Sequence, residues 1–285
     1  LRANGADSVG SAGEEIVQIP VGNVDLHGVL HRADDSARWA VVVAYPFAEE
    51  KKCAHRALVQ AARCLARDRV SCLRFDYRGC GDSPGRFDNF DIDSWIEDTT
   101  EAALYLRSKL PAARVGLLGL RLGAAIGMLA AERRRLFDFA VLWEPLLDGQ
   151  QYLKMNVRRS VIKAMMTGDD SVDAQSIGEE YASVRTVDFD GYPITRRLRD
   201  QIGDIDLIDD PPQFMGPALI LHLGPRKRVP PEFHKLADSM ADAVVDGVRQ
   251  KPFWQRLELT DPSPAIEATG LWLAELQAAT EAKQD

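Results

Sequence analysis

The sequence predicts an α/β fold built on a mostly parallel, eight-stranded sheet with helices on both faces. Apolar, strand-like runs alternate with helical patterns in residues 14–145 and again in residues 211–285. This order is typical of parallel strands joined by helical crossovers. From residue 39 onward the runs are almost continuously apolar, as expected for strands that helices cover on both faces.

The first elements follow from local periodicity. Residues 15–20 and 24–33 predict two strands, and the second alternates apolar and polar residues as a half-buried antiparallel strand does. The continuous apolar run 39–47 predicts a third strand, and apolar residues at helical spacing follow between 58 and 65. Residues 70–85 predict a strand that enters a glycine-rich turn.

The next elements complete the first half of the sheet. Ser94 and Glu97 have the spacing of a capping box, which predicts that a helix begins there. Residues 115–120 predict a strand, the apolar spacing from Leu122 to Leu129 predicts a helix, and residues 137–145 predict a sixth strand.

The alternating pattern stops after the sixth strand. Residues 146–210 contain helical pieces at 150–166 and 194–202 and no clear strand, so we expect a helical cap inserted between strands six and seven. An apolar helix face that includes Met155 could contact a loose apolar ligand or pack on the sheet. The cap could also bind a protein partner. The pattern resumes with a strand at 216–224, a helix near 231–244, an eighth strand at 252–259 and a helix at 263–279. Residues 1–13 are expected to form a mobile tail.

The composition excludes several classes of protein. A net charge of −8 and a pI near 5.3 argue against nucleic acid and anionic membranes as partners. No apolar stretch approaches the roughly 18 residues that cross a bilayer, and no signal peptide is evident, so we expect a cytoplasmic protein. The four cysteines lack metal-ligand spacing, and neither a metal nor a cofactor is expected.

The segment Gly119-Leu120-Arg121-Leu122-Gly123 lies between the predicted fifth strand and the next helix. Its spacing is that of G-x-S-x-G, a sharp turn whose central serine is the nucleophile of many hydrolases. Here the central residue is Arg121, which cannot attack a carbonyl carbon. The sequence therefore predicts the turn without its usual nucleophile.

Together with this turn, the stretch FDYRGCGDSPG resembles the α/β-hydrolase superfamily, of the serine-aminopeptidase-like kind. More narrowly, PFAEE, GCGDSPG, GLRLGA, LWEPLLDG, GYPITRRL and PFWQ occur in the order seen in the exosortase A system-associated hydrolase type 2 family. The resemblance spans about residues 40 to 275. It implies an α/β-hydrolase fold, an arginine in the elbow, and a genomic link to exopolysaccharide and protein-sorting systems.

The residues argue against the standard serine-hydrolase mechanism, which needs a nucleophile, a histidine base and an acid. The segment before the last helix, where the base of this fold normally lies, contains no histidine; the five histidines are all earlier. The usual His-Gly of the oxyanion loop is replaced by Pro46-Phe47. Whether the chain is an enzyme stays open.

Charged residues follow several predicted strands, where ligands bind in such sheets. Glu49, Glu50 or Glu144 could pair with Arg121 and fill the space where the active site of a serine hydrolase normally lies. Alternatively, a ligand anion could bind Arg121 and the amides near Leu122 at the helix N-terminus, beside Phe47. A Cys53–His55 nucleophile pair is a weaker possibility, because residues two apart on a helix do not face each other. His222, inside the seventh strand, is interpreted as a core histidine.

Three functions follow from these alternatives. The first is a hydrolase-fold protein without serine-hydrolase activity that binds a small anionic or acylated ligand, or a partner, in a pathway related to exopolysaccharide or protein sorting. The second is a hydrolase of an ester, thioester or other acyl substrate that uses an unorthodox nucleophile or carboxylate-activated water. The third is a scaffold that recruits another protein through its cap.

Overall fold

The computed structural model describes residues 13–34, 36–166, 186–189, 191–255 and 260–283, without the side chains of 157, 159–166 and 186–189. The predicted tail therefore lies, except for Gly13, outside the described residues. So does most of the apolar helix face that includes Met155.

Eight strands form one sheet in the order β1-β2-β4-β3-β5-β6-β9-β10. The β1–β2 and β2–β4 pairs are antiparallel, and every other neighbouring pair is parallel. The strands are β1 (Glu14–Val21), β2 (Val24–His31), β3 (Trp39–Ala44), β4 (Val70–Phe75), β5 (Arg114–Leu120), β6 (Phe139–Trp143), β9 (Pro217–Gly224) and β10 (Asp242–Arg249). The predicted sheet is confirmed.

Helices cover both faces of this sheet. Helices α1 and α7 contact each other on one face, and α2 and α3 contact each other on the other. The described helices are α1 (Ala48–Arg67), α2 (Ile92–Lys109), α3 (Leu122–Arg134), α4 (Gly149–Met166), α5 (Arg196–Gly203), α6 (Pro231–Asp238) and α7 (Ser263–Glu281). Central-strand residues such as Val41, Leu117 and Val141 are fully buried between these layers. No helix in the described part of the chain is long and apolar enough to cross a membrane.

The segment between β6 and β9 contains more than helices. Besides α4 and α5 it forms a small antiparallel sheet of β7 (Thr186–Phe189) and β8 (Tyr192–Thr195). The expectation of no strand in this segment is wrong. Gly191, in the connection between the two strands, has φ +90°, a conformation that glycine adopts without strain.

Two further predictions are wrong. Helix α2 begins at Ile92, because the Asp91 carboxylate accepts a hydrogen bond from the Ser94 amide at 3.0 Å and caps the helix three residues before the predicted start. The eighth strand is Asp242–Arg249 instead of 252–259; it pairs with β9 in parallel, and residues 253–255 form a turn. The segment between β10 and α7 is therefore 250–262, which also contains no histidine.

Candidate functional site

The turn at Arg121 has the strained geometry of a nucleophile elbow. Arg121 has φ 55° and ψ −123°, a region that residues other than glycine rarely adopt. Its surroundings hold it there. The Arg121 amide donates to the Trp143 carbonyl at 3.1 Å, and the Arg121 carbonyl accepts from the amides of Ala124 at 3.1 Å and Leu146 at 3.2 Å.

The two glycines of the elbow are required by close packing. A Cβ at Gly119 would lie 2.4 Å from the Cα of Ala124. A Cβ at Gly123 would lie 2.3 Å from the carbonyl oxygens of Ala44 and of Tyr45. These neighbours are backbone atoms that cannot move aside, so the G-x-R-x-G spacing read from the sequence has a steric cause.

The guanidinium of Arg121 has two weak polar contacts. Its Nε lies 3.4 Å from Glu50 Oε1, and its Nη1 donates to the Glu144 carbonyl at 3.4 Å. Both distances are long for hydrogen bonds to an arginine. The guanidinium carbon also lies 5.8 Å from the ring centroids of Tyr152 and of Trp254, within the range of cation–π attraction.

Burial shapes the charge state of this pair. The side chains of Arg121 and Glu50 are 11% and 9% exposed. Burial alone would lower the pKa of Arg121, but the negative charge of Glu50, helped by Tyr152 and Glu144, raises it on balance. Arg121 is therefore a permanent cation, and of the three predicted carboxylates Glu50 is the one that lies within ion-pair distance of it.

A cavity of about 320 Å³ opens above Arg121. Glu50 is not among the residues that line it. Asp148 and Glu232 are exposed members of the lining, which makes the rim acidic. The lining residues are Arg121, Glu144, Pro145, Leu146, Leu147, Asp148, Gln151, Tyr152, Met155, Glu232 and Phe233.

Sequence reasoning missed the partner of Glu144. Glu144 Oε2 accepts from the Leu223 amide at 2.6 Å and lies 3.0 Å from His222 Nδ1. Burial raises the pKa of Glu144, although these two contacts oppose the shift. The His222 ring packs on Phe233, with ring centroids 5.0 Å apart. His222 lies inside the seventh strand of the sheet as predicted and is half-buried, and its partner Glu144 lines the cavity.

Phe47 and Leu122 lie where the sequence places the oxyanion-binding backbone. Phe47 precedes the first residue of α1, and its ring packs on Tyr152 with centroids 6.0 Å apart. Leu122 is the first residue of α3 and its side chain is fully buried. An amide at the first position of a helix has no acceptor within the helix. A ligand would therefore meet Leu122 through its amide.

The remaining candidates lie elsewhere. Glu49 pairs with Lys52 at 2.9 Å and is partly exposed. Burial raises the pKa of the Cys53 thiol, which opposes formation of a nucleophilic thiolate. The His55 ring stacks on Tyr45, with centroids 6.3 Å apart, and lines a second cavity. The described residues show no hydrogen bond between Cys53 and His55, and no cluster of His, Cys, Asp or Glu that could hold a metal.

Comparison with known structures identifies the fold. Est1E from Butyrivibrio proteoclasticus with ferulic acid bound is similar at 17% identity and a TM-score of 0.65, covering 92% of this chain and 99% of that chain. Proline iminopeptidase from Mycobacterium smegmatis is similar at 14% identity and a TM-score of 0.61, covering 93% and 100%. Mouse alpha/beta hydrolase domain-containing protein 10 is similar at 15% identity and a TM-score of 0.60, covering 92% and 99%. No model of a protein family matches the chain, and no curated protein does.

The chain therefore has the α/β-hydrolase fold. Identities of 14% to 17% support a shared fold, but they do not support a shared activity or substrate. The elbow, the eight-stranded sheet and the position of the cavity agree with it.

Proposed function

We propose that the protein binds a small ligand through a single carboxylate or similar anionic group at Arg121, without serine-hydrolase chemistry. One observation carries the proposal: the residue at the nucleophile position is a permanent cation at the base of an open cavity of about 320 Å³. If an ion pair between Arg121 and a carboxylate of the protein closed the pocket, the site would instead have lost its ability to bind a ligand.

The hydrogen-bonding capacity of Arg121 supports a ligand. A guanidinium has five N–H donors. Two of them make contacts of 3.4 Å, and the other three have no acceptor among the described residues. A carboxylate would accept two parallel bonds from such a group. The N-terminus of α3, directly beside it, adds partial positive charge.

The rest of the cavity limits what the ligand can be. Leu146, Met155 and Phe233 offer apolar surface, which suits an acyl chain. The exposed carboxylates of Asp148 and Glu232 repel additional negative charge. We therefore infer a monoanion with an apolar part, such as a short fatty acid, in preference to a polyphosphate. From the family resemblance we further infer a role in a pathway related to exopolysaccharide or protein sorting.

Calorimetric titration with hexanoate tests the proposal, with hexanol as the uncharged comparison. Loss of a charge-assisted bond costs about 1.5–3 kcal/mol, so Arg121→Ala should weaken hexanoate binding by at least about tenfold. Arg226→Ala, which removes an exposed positive charge elsewhere, is the matched control. Equal affinity in R121A, equal binding of hexanol, or no binding to the wild-type protein would each overturn the proposal.

The His222–Glu144 pair favours one second candidate, hydrolysis of an acyl ligand by activated water. His222, whose Nδ1 lies 3.0 Å from Glu144, could accept a proton from water at Nε2. Turnover of short acyl esters by the wild-type protein that disappears in His222→Gln would support this candidate. Absence of turnover would leave ligand binding alone.

A further inference from the structure

A second arginine is buried without a negative partner. Arg74 lies on β4 and is 8% exposed. Its Nε donates to His31 Nε2 at 2.8 Å, and its Nη1 donates to the Tyr45 hydroxyl at 2.8 Å. Both acceptors are neutral groups: Tyr45 accepts through its hydroxyl, and a histidine ring nitrogen that accepts a hydrogen bond carries no proton. Within the described part of the chain, no carboxylate lies within ion-pair distance of Arg74.

The carboxylates nearest to Arg74 in the surrounding elements contact other side chains. Asp76 pairs with Lys51 at 2.6 Å, and Asp82 is 81% exposed and lies 3.9 Å from His27. Glu14, on the far side of His31, pairs with Arg63 at 2.6 Å. The Lys51–Asp76 and Arg63–Glu14 pairs are each neutral. Among the described residues Arg74 therefore has no carboxylate partner of its own, in a place where burying an unpaired ion costs several kcal/mol. Asp82 also lacks a lysine or arginine partner, but its carboxylate is exposed and screened by water.

This arginine lies at the base of a second cavity of about 200 Å³. At about 30 Å³ per water, the space equals about seven waters. The lining residues are His27, Val29, Tyr45, His55, Arg74, Phe75, Asp76 and Asp82. None of them lines the Arg121 cavity. Of these lining residues, His55 is exposed.

We propose that this second cavity binds a small monovalent carboxylate, with the Arg74 guanidinium as its principal partner. The anion gives Arg74 the carboxylate partner that no described residue places beside it. His27 and His55 add ring N–H donors from β2 and α1, and Val29 and Phe75 accommodate a short apolar group. Asp76 and Asp82 in the same lining make a dianion a poorer fit. The site is independent of the ligand proposed at Arg121.

The test is NMR of the histidine ring protons during titration with sodium acetate, compared with sodium chloride at equal ionic strength. Acetate should give saturable shifts of the His27 and His55 signals that chloride does not. Arg74→Gln should weaken the apparent affinity by at least about tenfold, as expected for loss of charge-assisted bonds. Arg121→Ala is the matched control and should leave this affinity unchanged.

Each other outcome refutes the second site. Equal shifts with chloride would mean an effect of ionic strength. Loss of the shifts in R121A with retention in R74Q would mean that acetate binds only at Arg121. Should R74Q fail to fold, His55→Ala replaces it, because His55 is exposed and its loss leaves the core intact. An acetate affinity unchanged in H55A, followed on His27, would then overturn the proposal.

Discussion

Acid should destabilise this protein through His31. The side chain is 1% exposed, and its Nε2 accepts the 2.8 Å hydrogen bond from Arg74. Protonation at Nε2 would turn that acceptor into a donor facing another donor. Burial first, and then the charge of Arg74, lower the pKa of His31 to about 4. A histidine in the unfolded chain has a pKa of about 6.5.

The sign and size of the effect follow by linkage. Because the folded pKa is lowered, the stabilisation is fully present above the unfolded value and is lost as pH falls toward the folded one. With pKa values of about 6.5 and about 4, His31 removes about 2 kcal/mol from the free energy of unfolding by pH 5 and about 3 kcal/mol by pH 4. That is a large part of the 5–15 kcal/mol typical of a domain, to order of magnitude.

Urea unfolding of the wild-type protein and of His31→Gln between pH 7.5 and 4.5 (roughly the window set by these pKa values) measures the effect. Glutamine keeps an acceptor for Arg74 but does not titrate, so H31Q should lose less stability with acid, by about 2 kcal/mol at pH 5. Carboxylates titrate in both proteins and cancel. His234→Gln, at an exposed position, is the control and should behave as the wild type. Parallel pH profiles for H31Q and the wild type would refute the reasoning.

Three further predictions concern the elbow and the buried Arg78–Asp98 ion pair. Gly123→Ala should destabilise the protein by about 3 kcal/mol or prevent folding, because the new Cβ would lie 2.3 Å from two backbone carbonyl oxygens. Gly13→Ala is the control, since a Cβ there meets nothing within 4 Å. Equal urea midpoints for the two variants would contradict the prediction. Arg121→Ser should give no turnover of p-nitrophenyl acetate, since residues 250–262 contain no histidine base. Turnover by R121S that disappears when one histidine is also replaced would contradict this prediction. Asp98→Ala should lower the free energy of unfolding by about 3–5 kcal/mol, because the fully buried Asp98 carboxylate pairs with Arg78 at 2.6 Å. Glu97 also pairs with Arg78 but is 59% exposed, so Glu97→Ala should cost under about 1 kcal/mol. Thermal unfolding measures both losses, and similar values would refute the distinction.

Local sequence determined the elements whose causes are local. The glycines at 119 and 123 fix the elbow, because any side chain there would meet backbone atoms. The continuous apolar runs determined the central strands, since only strands covered on both faces tolerate them. The sequence also predicted Arg121 at the centre of the elbow, and it contains no histidine after β10. The edge strand Asp242–Arg249 was missed because it is only half-buried, with Val244 49% exposed, and its pairing with β9 makes it a strand.

Tertiary structure decided which of these side chains meet. The sequence could not choose among the three carboxylates, because consecutive helical residues point about 100° apart and the start of α1 was unknown. The fold turns Glu50 toward Arg121 and Glu49 toward Lys52. Glu144 meets His222 across 78 residues, because β6 and β9 are neighbours in parallel register. That Arg74 has no carboxylate partner among the described residues is likewise invisible in the sequence, since net charge says nothing about where each counter-charge lies.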